Sequence, residues 1–126
     1  MSEKPRLRVL LVDNNAEILE ALELLLDPIC NVVGLITDAR TVIETVKRLN
    51  PDVILLDISM PYVNGLEVCR QIKESMPETR VILLTAYGDN ATRDTAYSVG
   101  ASALVMKHSV DQLLELLESL HCAQDR

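Results

Sequence analysis

Four polar residues in this chain each stand directly after a short, uninterrupted apolar run: Asp13, Asp57, Thr85 and Lys107. Runs that are apolar throughout, and do not alternate, are typical of strands in a parallel sheet that is buried on both faces. In an open α/β sheet the carboxyl ends of such strands meet at one edge, where ligands bind. We therefore expect two carboxylates, a hydroxyl and an amine to converge in one crevice, as in a small phosphoryl-transfer site.

Paired carboxylates at neighbouring strand ends repel each other, so they need a shared proton or a cation. Oxygen ligands of this kind suit Mg²⁺, which keeps several waters and completes its coordination with phosphate oxygens. An aspartate in this position can act as a nucleophile toward phosphorus. The cation and Lys107 would neutralise charge on the transferring group, and the Thr85 hydroxyl would donate to a phosphate oxygen.

The strands and helices that position these residues follow one another in five units. Strands that alternate with helices imply a parallel sheet with right-handed crossovers. We therefore expect an α/β fold: a doubly wound five-stranded parallel sheet of order 2-1-3-4-5, with helices on both faces. The predicted strands cover residues 8–12, 32–36, 53–56, 80–84 and 103–106, the helices begin near residues 16, 38, 66, 90 and 110, and a turn-rich loop covers residues 59–65.

Length and composition limit the domain organisation and the classes of partner. The 126 residues, of which 48% are hydrophobic, predict one domain over residues 1–126, with a core at 6–120 and residues 121–126 as a tail or the start of a linker. Twelve basic residues against nineteen acidic ones give a net charge of −7, and the aromatic residues are three Tyr without Phe or Trp. This balance argues against direct nucleic-acid binding by this domain.

The sequence also lacks the segments that export and membrane insertion require. The apolar run behind the basic start has four residues, whereas a secretory signal needs about 7–15 and a membrane span about 20. The three cysteines are scattered, without a CxxC pair, so they form neither a disulfide framework nor a zinc pattern. We therefore expect a cytoplasmic protein with no membrane partner.

The four polar residues stand in motifs that resemble those of the response-regulator receiver domains of two-component signalling. The resemblance extends from Arg6 to Leu120. Its motifs are Leu-Leu-Val-Asp13-Asn14, Leu-Leu-Asp57-Ile-Ser-Met-Pro61, Asn64-Gly65, Leu-Leu-Thr85-Ala86, and Gly100-Ala101 ahead of Lys107. Each residue alone is uninformative, but the spacing of the whole set is specific.

The resemblance implies a flavodoxin-like sandwich that accepts a phosphoryl group on Asp57 from a partner histidine kinase or phosphotransfer protein. It implies a phosphoacceptor and not an enzyme, apart from slow reactions of Asp57 with small donors and with water. The implied site residues are, for Mg²⁺, Asp13, Asn14, Asp57 and the backbone carbonyl of Ser59, and, for the phosphoryl group, Asp57, Thr85 and Lys107.

Three residues depart from the pattern of that family. Asn14 stands where a second acid is usual, which predicts weaker Mg²⁺ binding and slower phosphorylation. Asn14-Asn15 is also a candidate cap for the first helix. Leu104 stands where Tyr or Phe usually couples to Thr85, so it cannot supply an aromatic rotamer switch and is expected in the core. His108 replaces a common proline after Lys107, and we expect a trans bond there because a cis form would cost about 2.5–4 kcal/mol.

Two readings of the function stay open at this point. The first is a phosphorylation-controlled switch that alters self-association, as in a homodimer, or partner and output-domain binding, and that could be the N-terminal part of a DNA-binding transcriptional regulator. The second is a degenerate receiver that acts as a phosphorylation-independent interaction or dimerisation module, which Asn14 and Leu104 favour. Ser59 argues against a haloacid-dehalogenase-like phosphatase, which would need an acid at that position.

Overall fold

The computed structural model describes residues 6–86 and 88–124. None of the helices within these ranges is long and apolar enough to cross a membrane. In chain order, the elements are β1 (Arg8–Val12), α1 (Ala16–Leu26), β2 (Asn31–Ile36), a 3₁₀ turn (Ala39–Thr41), α2 (Val42–Leu49), β3 (Val53–Asp57), β4 (Ser59–Met60), β5 (Val63–Asn64), α3 (Gly65–Ser75), β6 (Arg80–Thr85), α4 (Asn90–Ser98), β7 (Ala103–Met106) and α5 (Val110–Gln124).

Five of these strands form a parallel sheet of order β2-β1-β3-β6-β7. Numbered by the long strands alone, this is the order 2-1-3-4-5, so the predicted fold class is confirmed. The register pairs Val12 of β1 with Leu56 of β3, which places the next residue of each strand, Asp13 and Asp57, side by side. The order of the sheet therefore sets the spacing of the two acids.

Two apolar layers enclose the sheet, and successive residues of each strand point alternately into them. One layer contains Leu10 and Val12 of β1 together with residues of α2, α3 and α4. The other contains Val9 and Leu11 of β1 together with residues of α1 and α5. The residues of β3 are all buried, because both faces of this central strand are covered. This explains why its sequence is an unbroken apolar run.

The structure differs from the predicted elements mainly after β3. The segment predicted as a loop contains a two-stranded antiparallel hairpin, in which Ser59 pairs with Asn64 and Met60 with Val63. Two-residue strands are too short to show the alternation on which strand prediction depends. The predicted left-handed end of α4 is confirmed, since Gly100 has a φ of 98°.

Gly65, at the start of α3, lies against the backbone of the strand that carries Asp57. A Cβ atom at this position would stand 2.5 Å from the carbonyl oxygen of Asp57 and 2.6 Å from the Cα of Ile58. Its own amide donates to the carbonyl of Ile58 at 3.0 Å. The hairpin and α3 can therefore sit this close to Asp57 only because position 65 has no side chain.

We expect Gly65→Ala to lower the free energy of unfolding by about 1–3 kcal/mol, because backbone atoms must move to admit the methyl group. Gly34→Ala is the matched control: its Cβ would meet a flexible side-chain atom, Cδ1 of Leu10, at 3.0 Å. Urea denaturation measures both variants. Equal losses would show that the close approach at Gly65 is not a special constraint.

Candidate functional site

The carboxylates of Asp13 and Asp57 lie together at the carboxyl edge of the sheet, directly after β1 and at the end of β3. Each residue is only 1% exposed. The ammonium of Lys107, which follows β7, lies 3.0 Å from Oδ2 of Asp13 and 3.0 Å from Oδ2 of Asp57. One cation therefore bridges two buried anions, and the three groups together keep one net negative charge.

The second oxygen of each carboxylate is held by the backbone two residues further on. Oδ1 of Asp13 accepts a hydrogen bond from the amide of Asn15 at 2.9 Å, and Oδ1 of Asp57 accepts one from the amide of Ser59 at 3.0 Å. Neither amide was among the residues predicted for the site. The signal was available, since an aspartate at the start of a loop commonly forms an Asx turn with the amide two residues later.

The Lys107 ammonium makes a hydrogen bond to only one of the two carboxylates. It donates a hydrogen bond to Oδ2 of Asp57 at 3.0 Å. Among the described residues, no donor makes a hydrogen bond of regular geometry to Oδ2 of Asp13, although the ion pair brings Lys107 close to it. A buried carboxylate oxygen without a hydrogen bond is costly, so this atom has free capacity for a further cation.

Within the crevice, burial and the neighbouring charged groups shift the pKa values of Asp57 and Lys107. Burial raises the pKa of Asp57 above its ordinary value, against the hydrogen bonds from Lys107 and Ser59, and the charge of Asp13 raises it further. Burial lowers the pKa of Lys107, but the hydrogen bond to Asp57 and the ion pair with Asp13 outweigh burial and raise the pKa overall. The crevice therefore keeps Lys107 charged and makes the ionised form of Asp57 energetically unfavourable.

Thr85 ends β6 and is buried beside the acid pair. Its carbonyl accepts a hydrogen bond from the amide of Lys107 at 2.8 Å, which ties the ends of β6 and β7 together. Gly88 lies in the loop that follows Thr85, close to Met106. A Cβ atom added to Gly88 would stand 2.6 Å from the Met106 sulfur. The loop after Thr85 is thus in contact with the last residue before Lys107.

The other residues that the sequence singled out lie around this centre. Asn14 is exposed at the mouth of the crevice, and the cap of α1 is Asn15, whose side chain accepts from the amides of Glu17 and Ile18. Of the predicted cap pair Asn14-Asn15, the second residue therefore forms the cap, and Asn14 does not. Ser59 is also exposed, although its backbone amide donates a hydrogen bond to Oδ1 of Asp57.

Leu104 and His108 take positions that agree with the sequence analysis. Leu104 is 4% exposed and belongs to the core on the side of α2, α3 and α4. His108 is exposed, and the structure has no cis peptide bond within residues 6–86 and 88–124. Neither side chain is placed to do chemistry at the acid pair.

Two cysteines lie in the core, away from this site. Cys30 and Cys69 are buried and free. Burial raises the pKa of both thiols, that of Cys69 to about 11, so neither is a nucleophile near neutral pH. The side chain of Cys122 lies outside the described residues.

We expect Lys107→Met to lower the free energy of unfolding by about 2 kcal/mol at pH 7, because two buried carboxylates lose their cation. The raised pKa of Asp57 means that its ionised form opposes folding, and that this penalty disappears as pH falls through the folded pKa toward its ordinary 3.8. The deficit of the variant should therefore shrink between pH 7 and pH 4, as urea denaturation at each pH would show.

Lys73→Met is the matched control for that experiment. The Lys73 ammonium donates to the carbonyls of Pro77 and Thr79 at 2.7 and 2.8 Å, and carbonyl groups do not titrate. The loss in free energy of unfolding caused by Lys73→Met should be the same at pH 7 and pH 4. A Lys107→Met deficit that also stays constant would contradict the assignment of its cost to the unpaired carboxylates.

Comparison with known proteins places this geometry in a family. The profile of the response regulator receiver domain matches residues 9–118. The transcriptional regulatory protein MctR of Rhizobium johnstonii is 28% identical over 95% of this chain and 58% of its own length. A protein-glutamate methylesterase/protein-glutamine glutaminase of the same organism is 40% identical over 84% of this chain and 31% of its own length.

Solved structures agree with the sequence comparison. The response regulator domain of Thermotoga maritima CheB superposes with a TM-score of 0.83 and 31% identity, over 92% of this chain and 96% of that one. The chain thus matches a receiver module along nearly its whole length, while it spans 58% and 31% of the two relatives above. This chain belongs to the response regulator receiver domain family.

Proposed function

We propose that this domain is a phosphorylation-controlled switch of two-component signalling. Asp57 accepts a phosphoryl group from the phosphohistidine of a histidine kinase or phosphotransfer protein, with the help of Mg²⁺. Thr85 and Lys107 bind the oxygens of the transferred group. The observation that carries the proposal is the single ammonium of Lys107, 3.0 Å from one oxygen of each of two buried carboxylates.

The residues present fit a magnesium ion. Asp13, Asp57 and Lys107 together leave one negative charge, and Oδ2 of Asp13 accepts no hydrogen bond from the described residues. No group of three or more His, Cys, Asp and Glu side chains comes together within the described ranges. The ligand set that we propose is the one that the resemblance to receiver domains implies: Asp13, Asp57, the Asn14 amide oxygen and the Ser59 carbonyl, completed by water and phosphate oxygens as Mg²⁺ prefers.

In the transfer step the protein positions the Asp57 carboxylate and neutralises the negative charge of the phosphoryl oxygens. A carboxylate oxygen of Asp57 forms a bond to phosphorus while the phosphorus–nitrogen bond of the donor breaks, and the imidazole nitrogen keeps the electron pair. The bound cation would supply electrostatic stabilisation of the phosphoryl oxygens. Lys107 adds a second positive charge beside the same oxygens, and the Ser59 amide holds one carboxylate oxygen of Asp57 in place.

The structure offers a route from the site to the surface that does not require an aromatic side chain. Lys107 and Thr85 are joined by a backbone hydrogen bond, and the loop after Thr85 packs on Met106 through Gly88. A ligand shifts a two-state equilibrium only by its differential interaction with the two states. A phosphoryl group that takes over the Lys107 ammonium supplies that difference at the start of this loop and at α4.

The relatives suggest what such a switch controls. MctR is a transcriptional regulatory protein of which this chain spans 58%, so we propose that this receiver controls self-association or an output module, in a cytoplasmic protein. Direct nucleic-acid binding by this domain is not part of the proposal. Its α1 and α5 helices, which share one face, carry acidic residues and no Lys or Arg.

One alternative has observations in its favour. Asn14 brings no charge to the crevice, and Leu104 is fixed in the core, so the chain is also compatible with a degenerate receiver that acts as a constitutive interaction module. The two functions differ in their response to Mg²⁺. A ligand that binds the native state raises its melting temperature by mass action, whereas a degenerate receiver would melt identically with and without the ion.

Incubation with Mg²⁺ and acetyl phosphate, followed by intact-mass measurement, tests the proposed function. Wild type should gain one phosphoryl group, because Asp57 is the buried carboxylate that carries both the Lys107 and the Ser59 hydrogen bonds. Asp57→Asn should gain none. An adduct that persists in the Asp57→Asn variant would place the acceptor elsewhere, and no adduct on wild type would favour the degenerate module.

We also expect Asn14→Asp to tighten Mg²⁺ binding by roughly 10-fold, since a third carboxylate adds charge for a hard cation at the mouth of the crevice. Asn15→Asp is the matched control. It adds the same charge one residue later, where the side chain already caps α1 and Asp caps as well as Asn. Calorimetric titration with Mg²⁺ should separate the two variants; equal affinities would remove Asn14 from the ligand set.

A further inference from the structure

Tyr62 occupies an unfavourable position at the tip of the β4–β5 hairpin. It follows Pro61, has a φ of 70° and is 87% exposed. A two-residue turn with proline first and a positive φ second normally carries Gly or Asn at the second place, because a Cβ atom is strained there. A large aromatic residue that gains little burial in such a turn suggests a role other than stability.

The ring of Tyr62 has a defined contact with Arg40, whose guanidinium carbon lies 5.1 Å from the ring centroid. Arg40 is itself fixed, because its side chain makes two hydrogen bonds to the carboxylate of Asp38, at 3.0 and 2.9 Å. The Asp38 carboxylate also accepts from the Arg40 amide at 2.9 Å. We call the unit formed by Asp38, Arg40 and Tyr62 the clasp.

The sheet order shows where the clasp lies. Arg40 belongs to the segment after β2 and Tyr62 to the hairpin after β3. β1, which Asp13 directly follows, lies between these two strands. Both segments lead to helices of the same layer, since α2 and α3 pack into one core cluster. A contact between the two segments therefore spans the carboxyl end of β1, the strand that Asp13 follows.

The hairpin that the clasp holds is the one that carries Ser59. At its base, Gly65 packs on the Asp57 carbonyl and the Ser59 amide donates to Oδ1 of Asp57. At its tip, the ring of Tyr62 contacts the guanidinium of Arg40 in the segment after β2. Tyr62 and Arg40 thus limit the motion of the segment whose amide holds Asp57 and whose carbonyl stands in the proposed ligand set.

We propose that Tyr62 and Arg40 are positioning residues, which clamp the Ser59 segment for cation and phosphoryl binding, and that the left-handed turn at Tyr62 is kept for this purpose. The inference deepens the proposed function and rests on it for the identity of the ligand. Neither residue touches the reacting atoms. Their effect passes through Ser59.

Amide hydrogen exchange at Ser59, followed by NMR, tests the clasp without any ligand. Arg40→Gln removes the cation, Tyr62→Gly removes both ring and strain, and Tyr62→Phe keeps the ring as the matched control. An exposed cation–π contact corresponds to roughly a 2–5-fold change in an opening equilibrium. We expect the first two variants to exchange the Ser59 amide 2–5-fold faster on this scale, and the Phe variant to match wild type.

The exchange rate of the Asn15 amide and the melting temperature distinguish a local effect on the Ser59 segment from a general loosening of the fold. The Asn15 amide, which donates to Asp13, should keep its exchange rate in all three variants. The melting temperature of Tyr62→Gly should stay within about 3 °C of wild type, because relief of the left-handed backbone offsets the lost ring contact. Unchanged exchange at Ser59, or equal acceleration at Asn15, would overturn the clasp.

Titration with Mg²⁺ then connects the clasp to the site. Arg40→Gln and Tyr62→Gly should bind the ion 2–5-fold more weakly, in proportion to the faster Ser59 exchange, and Tyr62→Phe should bind as wild type does. If wild type takes no phosphoryl group, the proposed function fails while the exchange result still decides the clasp. Faster Ser59 exchange with unaltered Mg²⁺ affinity would overturn the positioning role.

Discussion

The bridge of Lys107 between two buried carboxylates is the interaction on which the rest of the structure depends. Taking a charged group out of water costs several kcal/mol, and two like charges side by side add to that cost. Asp13 and Asp57 are both 1% exposed and share one ammonium. The two carboxylates meet because the sheet order places β1 next to β3. The ammonium joins them because Lys107 follows β7 at the same edge of the sheet.

The remaining features of the crevice keep that arrangement from relaxing. Backbone amides donate to Oδ1 of both carboxylates, and the Lys107 amide donates to the Thr85 carbonyl. Because Gly65 has no side chain, the start of α3 can approach the backbone of Asp57. The apolar layers on both faces offset the cost, because burial of apolar surface contributes about 25 cal/mol per Å². Even so, one acid oxygen stays without a hydrogen bond from the described residues. The site is therefore rigid and still short of positive charge.

The sequence predicts the sheet well because buried parallel strands have an unbroken apolar pattern and their ends mark the crevice. It predicts the neighbours of Asp57 less well. The hairpin at Ser59 and Met60 is too short to give a periodic pattern in the sequence. The predicted cap pair Asn14-Asn15 does contain the cap of α1, but the sequence did not decide between its two residues. The contact between Arg40 and Tyr62 joins residues 22 positions apart. Such a contact depends on the strand order, so no local pattern contains it.

The burial of Leu104 constrains how a phosphoryl signal can travel in this chain. A leucine with 4% exposure in the core has no second packed position to move to without leaving a cavity, which core packing penalises. The groups that can respond are those tied to the acid pair: the Lys107 ammonium, the Thr85–Lys107 backbone bond, and the loop that rests on Met106. A shift from 1:99 to 99:1 needs about 5.5 kcal/mol of differential interaction. The partly buried Lys107 ammonium, which pairs with both acids, would contribute to that difference when it changes partner, so in the proposed switch the electrostatics of Lys107 would take the place of an aromatic rotamer.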